Sequence, residues 1–341
     1  MTNKFTFLTP VMFIMLITLS LMITSCTKEG PQGPPGLDGQ DATETCMTCH
    51  DFSETIVTKF TQYSYSTHAS GNNVDRNGVG CSQCHTSQGF RSYLVDGVSV
   101  LMPDPTPINC RTCHPIHESY STDDYAVRTN APVNLIVGDF AYDYGNSNLC
   151  ANCHQARSIS PYPIAGGDDV TITNARYGPH YGPQSNMIAG KGPFEIPGSL
   201  PYENSAHTSL VTDGCVTCHL APASNLHSGG HQMNVSYTTS SGATAFNYSG
   251  CTSCHTSATE LAENRAEKRA EIEDLKAQLL AKLQEKGLLN ASELVPQPIT
   301  VSPNEAGAII NYKFVYGDHS YGAHNYLYTK ALLVNSLEAL N

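Results

Sequence analysis

The clearest alternation of apolar and polar positions lies in residues 258–286. Leu261, Ile272, Leu275, Leu279 and Leu283 recur mainly at three- and four-residue spacing, in a stretch rich in Ala, Glu, Lys and Leu that contains neither Pro nor Gly. That period lines one narrow stripe of an α-helix. Ser257 and Glu260 have the spacing of a capping box, and Gly287 stands where a helix should stop. The stripe can pack on the rest of the chain or on a second copy of itself. A second capping box, Ser302-Pro303-Asn304-Glu305, starts another helix with Pro at its first position, and a last amphipathic stretch runs from about Tyr326 to Leu340. At the other end, the apolar run Val11 to Ile23 is short for a membrane span. The interior contrasts with both ends. "GGDDV", "RYGPHYGPQSNMIAG" and "PGSLPYENSAH" are rich in Gly and Pro and read as loop.

The cysteines explain how such a chain folds. C-x-x-C-H occurs six times: Cys46-Cys49-His50, Cys81-Cys84-His85, Cys110-Cys113-His114, Cys150-Cys153-His154, Cys215-Cys218-His219 and Cys251-Cys254-His255. These units take 12 of the 13 cysteines. Chance predicts about 0.02 such units from this composition. A lone C-x-x-C could serve a redox pair or half a zinc site, but the histidine directly follows the second cysteine every time. The units predict six covalently bound haem c groups, each held by two thioethers with the adjacent histidine as proximal iron ligand. The uneven gaps between first cysteines, 35, 29, 40, 65 and 36, exclude a simple sequence repeat. Porphyrin faces would supply much of the buried apolar surface in a chain that has no Trp. The expected fold is mainly α with much irregular loop. It is a multihaem cytochrome c fold organised around stacked haems, with the long helix after the last motif.

Cys26 is the cysteine that no haem unit claims. It follows an apolar residue and two small ones, Ile23-Thr24-Ser25, which resembles a bacterial lipobox. The reading is a lipoprotein signal peptide over residues 1–25 with lipidation at Cys26, and a lipid-anchored spacer over 26–43. The hexahaem domain then covers 44–256, the long helix 257–290, and a C-terminal tail 291–341 that folds back. Gly30 to Asp41 forms four collagen-like Gly-X-Y triplets, few for a triple helix, so an extended polyproline-rich spacer is the simpler reading. The location expected is the bacterial cell envelope, lipid-anchored, periplasmic or at the cell surface. Thr27 differs from the Asp that marks inner-membrane retention in some bacteria, which favours the outer membrane. The net charge is −12, and losing Lys4 with the leader makes the chain one unit more acidic. This excludes nucleic acid as a partner and favours basic patches or cations on a redox protein. A homo-oligomer through the long helix or the collagen-like stem is a further option.

Eight histidines lie outside the motifs: His68, His117, His180, His207, His227, His231, His319 and His324. Six irons closed on both faces need six of them. His117 cannot easily serve the haem on Cys110 and Cys113, because His114 already takes one face of that iron. It is expected to reach a neighbouring haem, whose identity stays open. "STHAS" at His68, "CHPIH" at His117, "GPHYGPQSNMIAG" at His180, "SAHTS" at His207, "GGHQM" at His231 and "GDHSYGAHNYLYTKALL" at His324 resemble multihaem c-type cytochromes related to the nitrite reductase and hydroxylamine oxidoreductase superfamily. The resemblance spans the haem region and the tail. It implies that these six histidines are the distal ligands, that the tail delivers His324, and that His227 and His319 are spares. Met102, Met187 and Met233 are weaker ligand candidates beside a surplus of histidine.

Two functions follow. The first is an envelope-tethered carrier that moves electrons between redox partners, such as other cytochromes, through closely packed bis-histidine haems. The second is an oxidoreductase of a small nitrogen or sulfur compound, such as nitrite or hydroxylamine, at one open haem. The ammonia-forming nitrite reductases of the resembled superfamily use C-x-x-C-K at the catalytic haem, and no such unit occurs here. Its hydroxylamine oxidoreductases use an open C-x-x-C-H haem with a tyrosine cross-link, and 18 tyrosines leave that route available.

Overall fold

The computed structural model describes residues 46, 47, 50, 54–71 and 73–341. The leader, Cys26, the collagen-like triplets and Cys49 lie outside the described residues. Among the described residues the architecture is helical, with long irregular connections and three two-stranded antiparallel sheets. Helices α1 (Glu54–Ser64), α2 (Thr67–Ser70), α3 (Ser82–His85), α4 (Ser87–Asp96) and α5 (Cys110–Cys113) open the chain. The hairpin β1 (Val133–Leu135) and β2 (Phe140–Tyr142) follows, then α6 (Asn148–Ala151), β3 (Val170–Ile172), α7 (Gln184–Ala189), α8 (Ala206–Leu210) and α9 (Gly214–His219). A second hairpin, β4 (Ser236–Thr238) and β5 (Thr244–Phe246), precedes the terminal elements. These are α10 (Ala258–Glu285), β6 (Ile299–Val301), α11 (Pro303–Asp318) and α12 (Tyr326–Leu340).

The cap at Ser302 forms as the full box read from sequence, and the cap at Ser257 forms as half of one. Ser257 accepts from the Glu260 amide at 3.3 Å. Ser302 and Glu305 close a full capping box ahead of Pro303. Gly287 takes φ 70°, which lets the Leu288 amide turn back to the Leu283 carbonyl at 2.8 Å and end α10. Ile272, Leu279 and Leu283 are fully buried, so this part of the stripe packs within the chain, against α11 and α12. The front half of α10 packs differently. Arg265 lies 3.4 Å over the Phe246 ring, Lys268 3.9 Å over Tyr326 and Arg269 4.0 Å over Tyr321. These three cations are contact residues.

The side-chain core is lopsided. Its largest cluster joins α10, α11 and α12 to Ile172, Met187, Phe194 and Ile196 of the long fourth gap. Strand β3 pairs with β6, Val170 opposite Val301, which fastens that gap to the tail. Gly307 permits the approach of α11 to Phe194, where a Cβ would come within 2.2 Å of the ring. Among the described residues before Val133, Phe90 is the only buried apolar side chain. Buried Ser and Thr groups and the half-buried Asn109 do the joining there: Thr112 Oγ1 donates to Ser87 Oγ at 2.8 Å, and Ser87 Oγ donates to Asn109 Oδ1 at 3.1 Å. No helix among the described residues is long and apolar enough to cross a membrane.

Candidate haem sites

Each motif makes one tight turn. The amide of the motif histidine returns to the carbonyl of the first cysteine: His50 to Cys46 at 2.7 Å, His85 to Cys81 at 3.2 Å, His114 to Cys110 and His154 to Cys150 at 2.9 Å, His255 to Cys251 at 2.8 Å. Cys215 and His219 lie within α9. Residues three and four apart share one helical face, so in the five motifs whose cysteines are both described this turn sets both sulfurs and the imidazole toward one group.

Every motif imidazole faces one other histidine ring. Centre to centre, His50 lies 6.1 Å from His117, His154 6.1 Å from His68, and His85 6.4 Å from His180. His114 lies 6.1 Å from His231, His255 6.2 Å from His207, and His219 6.4 Å from His324. An imidazole nitrogen binds iron at about 2.0 Å and sits about 1.1 Å from its ring centre, so two imidazoles on one iron stand about 6.2 Å apart. The spacing thus fits a haem iron between each pair, and the interplanar angles, from 26° to 84°, are free, as rotation about a common axis allows. His227 instead lies 5.4 Å from Tyr65 and 6.4 Å from Tyr237, and His319 lies 5.9 Å from Tyr316. Met187 is buried in the core, and the Met233 carbonyl meets His219 Nδ1 at 2.7 Å.

The facing rings are delivered by devices that local sequence did not reveal. His68 stands on the single turn α2, capped by Ser66 and ended by Gly71. His117 takes φ 67° and is held by Asp124, a buried carboxylate. Asp124 accepts from the His117 amide at 2.8 Å, the Ser119 amide at 2.9 Å, the Ser119 hydroxyl at 2.7 Å and the Tyr120 amide at 3.2 Å. Burial raises the Asp124 pKa, but these donors outweigh it and hold it below the ordinary carboxylate value. The His231 amide donates to Gln62 Oε1 of α1 at 3.0 Å, and its Nδ1 is buried without a partner. His207 Nδ1 meets the Ala323 carbonyl at 2.8 Å, so the tail braces this ring as well as carrying His324. His68 and His231 are pushed down to about 4, chiefly by burial. At neutral pH both rings are uncharged, the form that binds a metal.

The motifs also touch one another. Cys84 Sγ lies 3.9 Å from the Asn152 carbonyl oxygen and Cys153 Sγ 3.6 Å from the Gln83 carbonyl oxygen, so the second and fourth motifs adjoin. Ser147 Oγ donates to the Asp213 carbonyl at 2.5 Å and accepts from the Val216 amide at 3.0 Å, knitting the fourth motif to the fifth. Gly250 brings the sixth motif to the fifth, since a Cβ there would stand 2.4 Å from the Thr217 carbonyl oxygen. His117 spans from the third motif to His50 of the first.

These features define the fold of a multihaem cytochrome. The outer cell wall cytochrome OcwA superposes on the chain with a TM-score of 0.54 at 22% identity, over 83% of this chain and 50% of that one. The chain therefore spans about half of that structure's length. The undecahaem cytochrome from the S-layer of Carboxydothermus ferrireducens matches with a TM-score of 0.47 at 19% identity, over 83% of this chain and 40% of that one. No family model and no curated protein matches the chain.

Proposed function

We propose that the chain is a hexahaem c-type cytochrome that carries electrons between redox partners of the cell envelope. The observation that carries this reading is the set of six facing imidazole pairs, each spaced for one iron. In each site the two cysteines would hold the porphyrin and the paired histidines would fill both axial positions. A low-spin iron closed in this way takes up and releases electrons with little change in geometry, which suits transfer. Contacts between motifs supply short steps. The first motif connects to the third through His117, the second to the fourth through Cys84 and Cys153, the fourth to the fifth, and the fifth to the sixth.

The rival reading, reduction or oxidation of nitrite or hydroxylamine at one haem, needs an open iron face. The second imidazole opposite every motif histidine supports the carrier instead. The tether reading rests on Cys26 and its lipobox-like approach, and a place at the outer envelope agrees with the outer cell wall of the similar cytochrome OcwA. Expected partners are other cytochromes or redox proteins of the envelope. The assignment is tested by haem content and spin state: six haems per chain by pyridine haemochrome, all low-spin in the ferric protein. A high-spin haem that binds nitrite or hydroxylamine would favour the enzyme.

A further inference from the structure

Asp318 is almost fully buried, and its Oδ1 lies 2.6 Å from His324 Nδ1. Among the described residues it is the one carboxylate bonded to any of the twelve facing imidazoles. Elsewhere the ring nitrogens meet neutral groups: His114 the Ala126 carbonyl at 3.0 Å, His154 the Gln184 amide oxygen at 3.2 Å, His207 the Ala323 carbonyl at 2.8 Å. The fifth site is also the one where both facing rings have such an acceptor, because His219 Nδ1 meets the Met233 carbonyl at 2.7 Å.

The neighbouring fourth site shares the same anchor through a neutral group. Gln184, whose Oε1 meets His154, sends its Nε2 to the Gly317 carbonyl at 3.1 Å and the Asp318 carbonyl at 3.4 Å. The end of α11 thus reaches the axial rings of two adjacent sites, one through an amide and one through an anion. A carboxylate accepting the Nδ1–H draws the proton away and leaves the ligating nitrogen richer in electrons. That favours ferric over ferrous iron.

Resting on the hexahaem reading, we propose that Asp318 is a positioning residue that sets the haem on Cys215 and Cys218 to a lower reduction potential than its neighbour on Cys150 and Cys153. Electrons would then leave the fifth haem for the fourth downhill, giving this contact a preferred direction. Ser320 Oγ donates to the other carboxylate oxygen and keeps Asp318 aimed at the ring.

Asp318→Asn keeps the size and an acceptor but removes the charge. In the full-length haem-loaded protein, one component of a spectropotentiometric titration should move to higher potential while the other five hold. The near-infrared magnetic circular dichroism band of one haem should move to lower energy in the same variant. Asp318→Glu should move that component less than Asp318→Asn does. An unshifted titration on a background of six low-spin haems overturns the role of Asp318 alone. So does the appearance of one high-spin haem in Asp318→Asn, because Asp318 would then hold the ligand without polarising it. Fewer than six low-spin haems in the wild-type protein would count against the hexahaem reading itself.

Discussion

His117 adopts a left-handed backbone conformation that a residue with a Cβ enters only at some cost. Four hydrogen bonds into Asp124 fix that turn and aim the ring at His50, not at the haem of its own motif. His117→Ala is therefore expected to convert one haem of six to high spin, visible in the ferric EPR spectrum. His227→Ala should leave every haem low-spin, because His227 rests between two tyrosines. A change of spin state in His227→Ala and none in His117→Ala would reverse the assignment. The motif cysteines and histidines are legible in sequence because five consecutive residues contain all their chemistry. The pairing is not legible, because it depends on distant chain: His68 faces His154, and His207 faces His255. Asp124, Gln184 and Asp318 carry no local signature either, and acquire their roles only once loops meet.

The long helix was readable down to its caps, since period and capping are local physics. Where its two halves pack was not. The C-terminal half buries Ile272, Leu279 and Leu283, and the N-terminal half lies against aromatic rings through cations. Leu279→Ala should cost about 2–5 kcal/mol of stability, measured by thermal or denaturant unfolding, since it empties a fully buried site. A similar loss at Leu261, which is only partly buried, would contradict this division. The three-residue strands escaped sequence reading because a period of two cannot be recognised in so few residues. Gly250→Ala makes a further test of packing between motifs. The Thr217 carbonyl must give way, so the variant should lose about 1–3 kcal/mol. An unchanged Tm would show that the fifth and sixth motifs do not meet as closely as described.

Among the described residues, apolar side-chain burial is concentrated in the fourth gap, α10 and the tail, and before Val133 it is limited to Phe90. Porphyrins are expected to fill that deficit in the first half. Haem removal should then abolish amide protection in residues 54–128 while leaving protection in α11 and α12, read by hydrogen exchange and mass spectrometry. Equal loss in both would mean that the tail has no core of its own. The leader reading is tested separately: Cys26→Ala should block lipidation and release the protein from membranes, and a variant that stays bound would refute the tether. The proposed carrier needs six irons, each closed by two imidazoles. Ferric EPR combined with near-infrared magnetic circular dichroism counts such irons in the intact protein. Six low-spin bis-histidine haems per chain is the expected result; one haem equivalent of high-spin iron in the wild-type protein would contradict it.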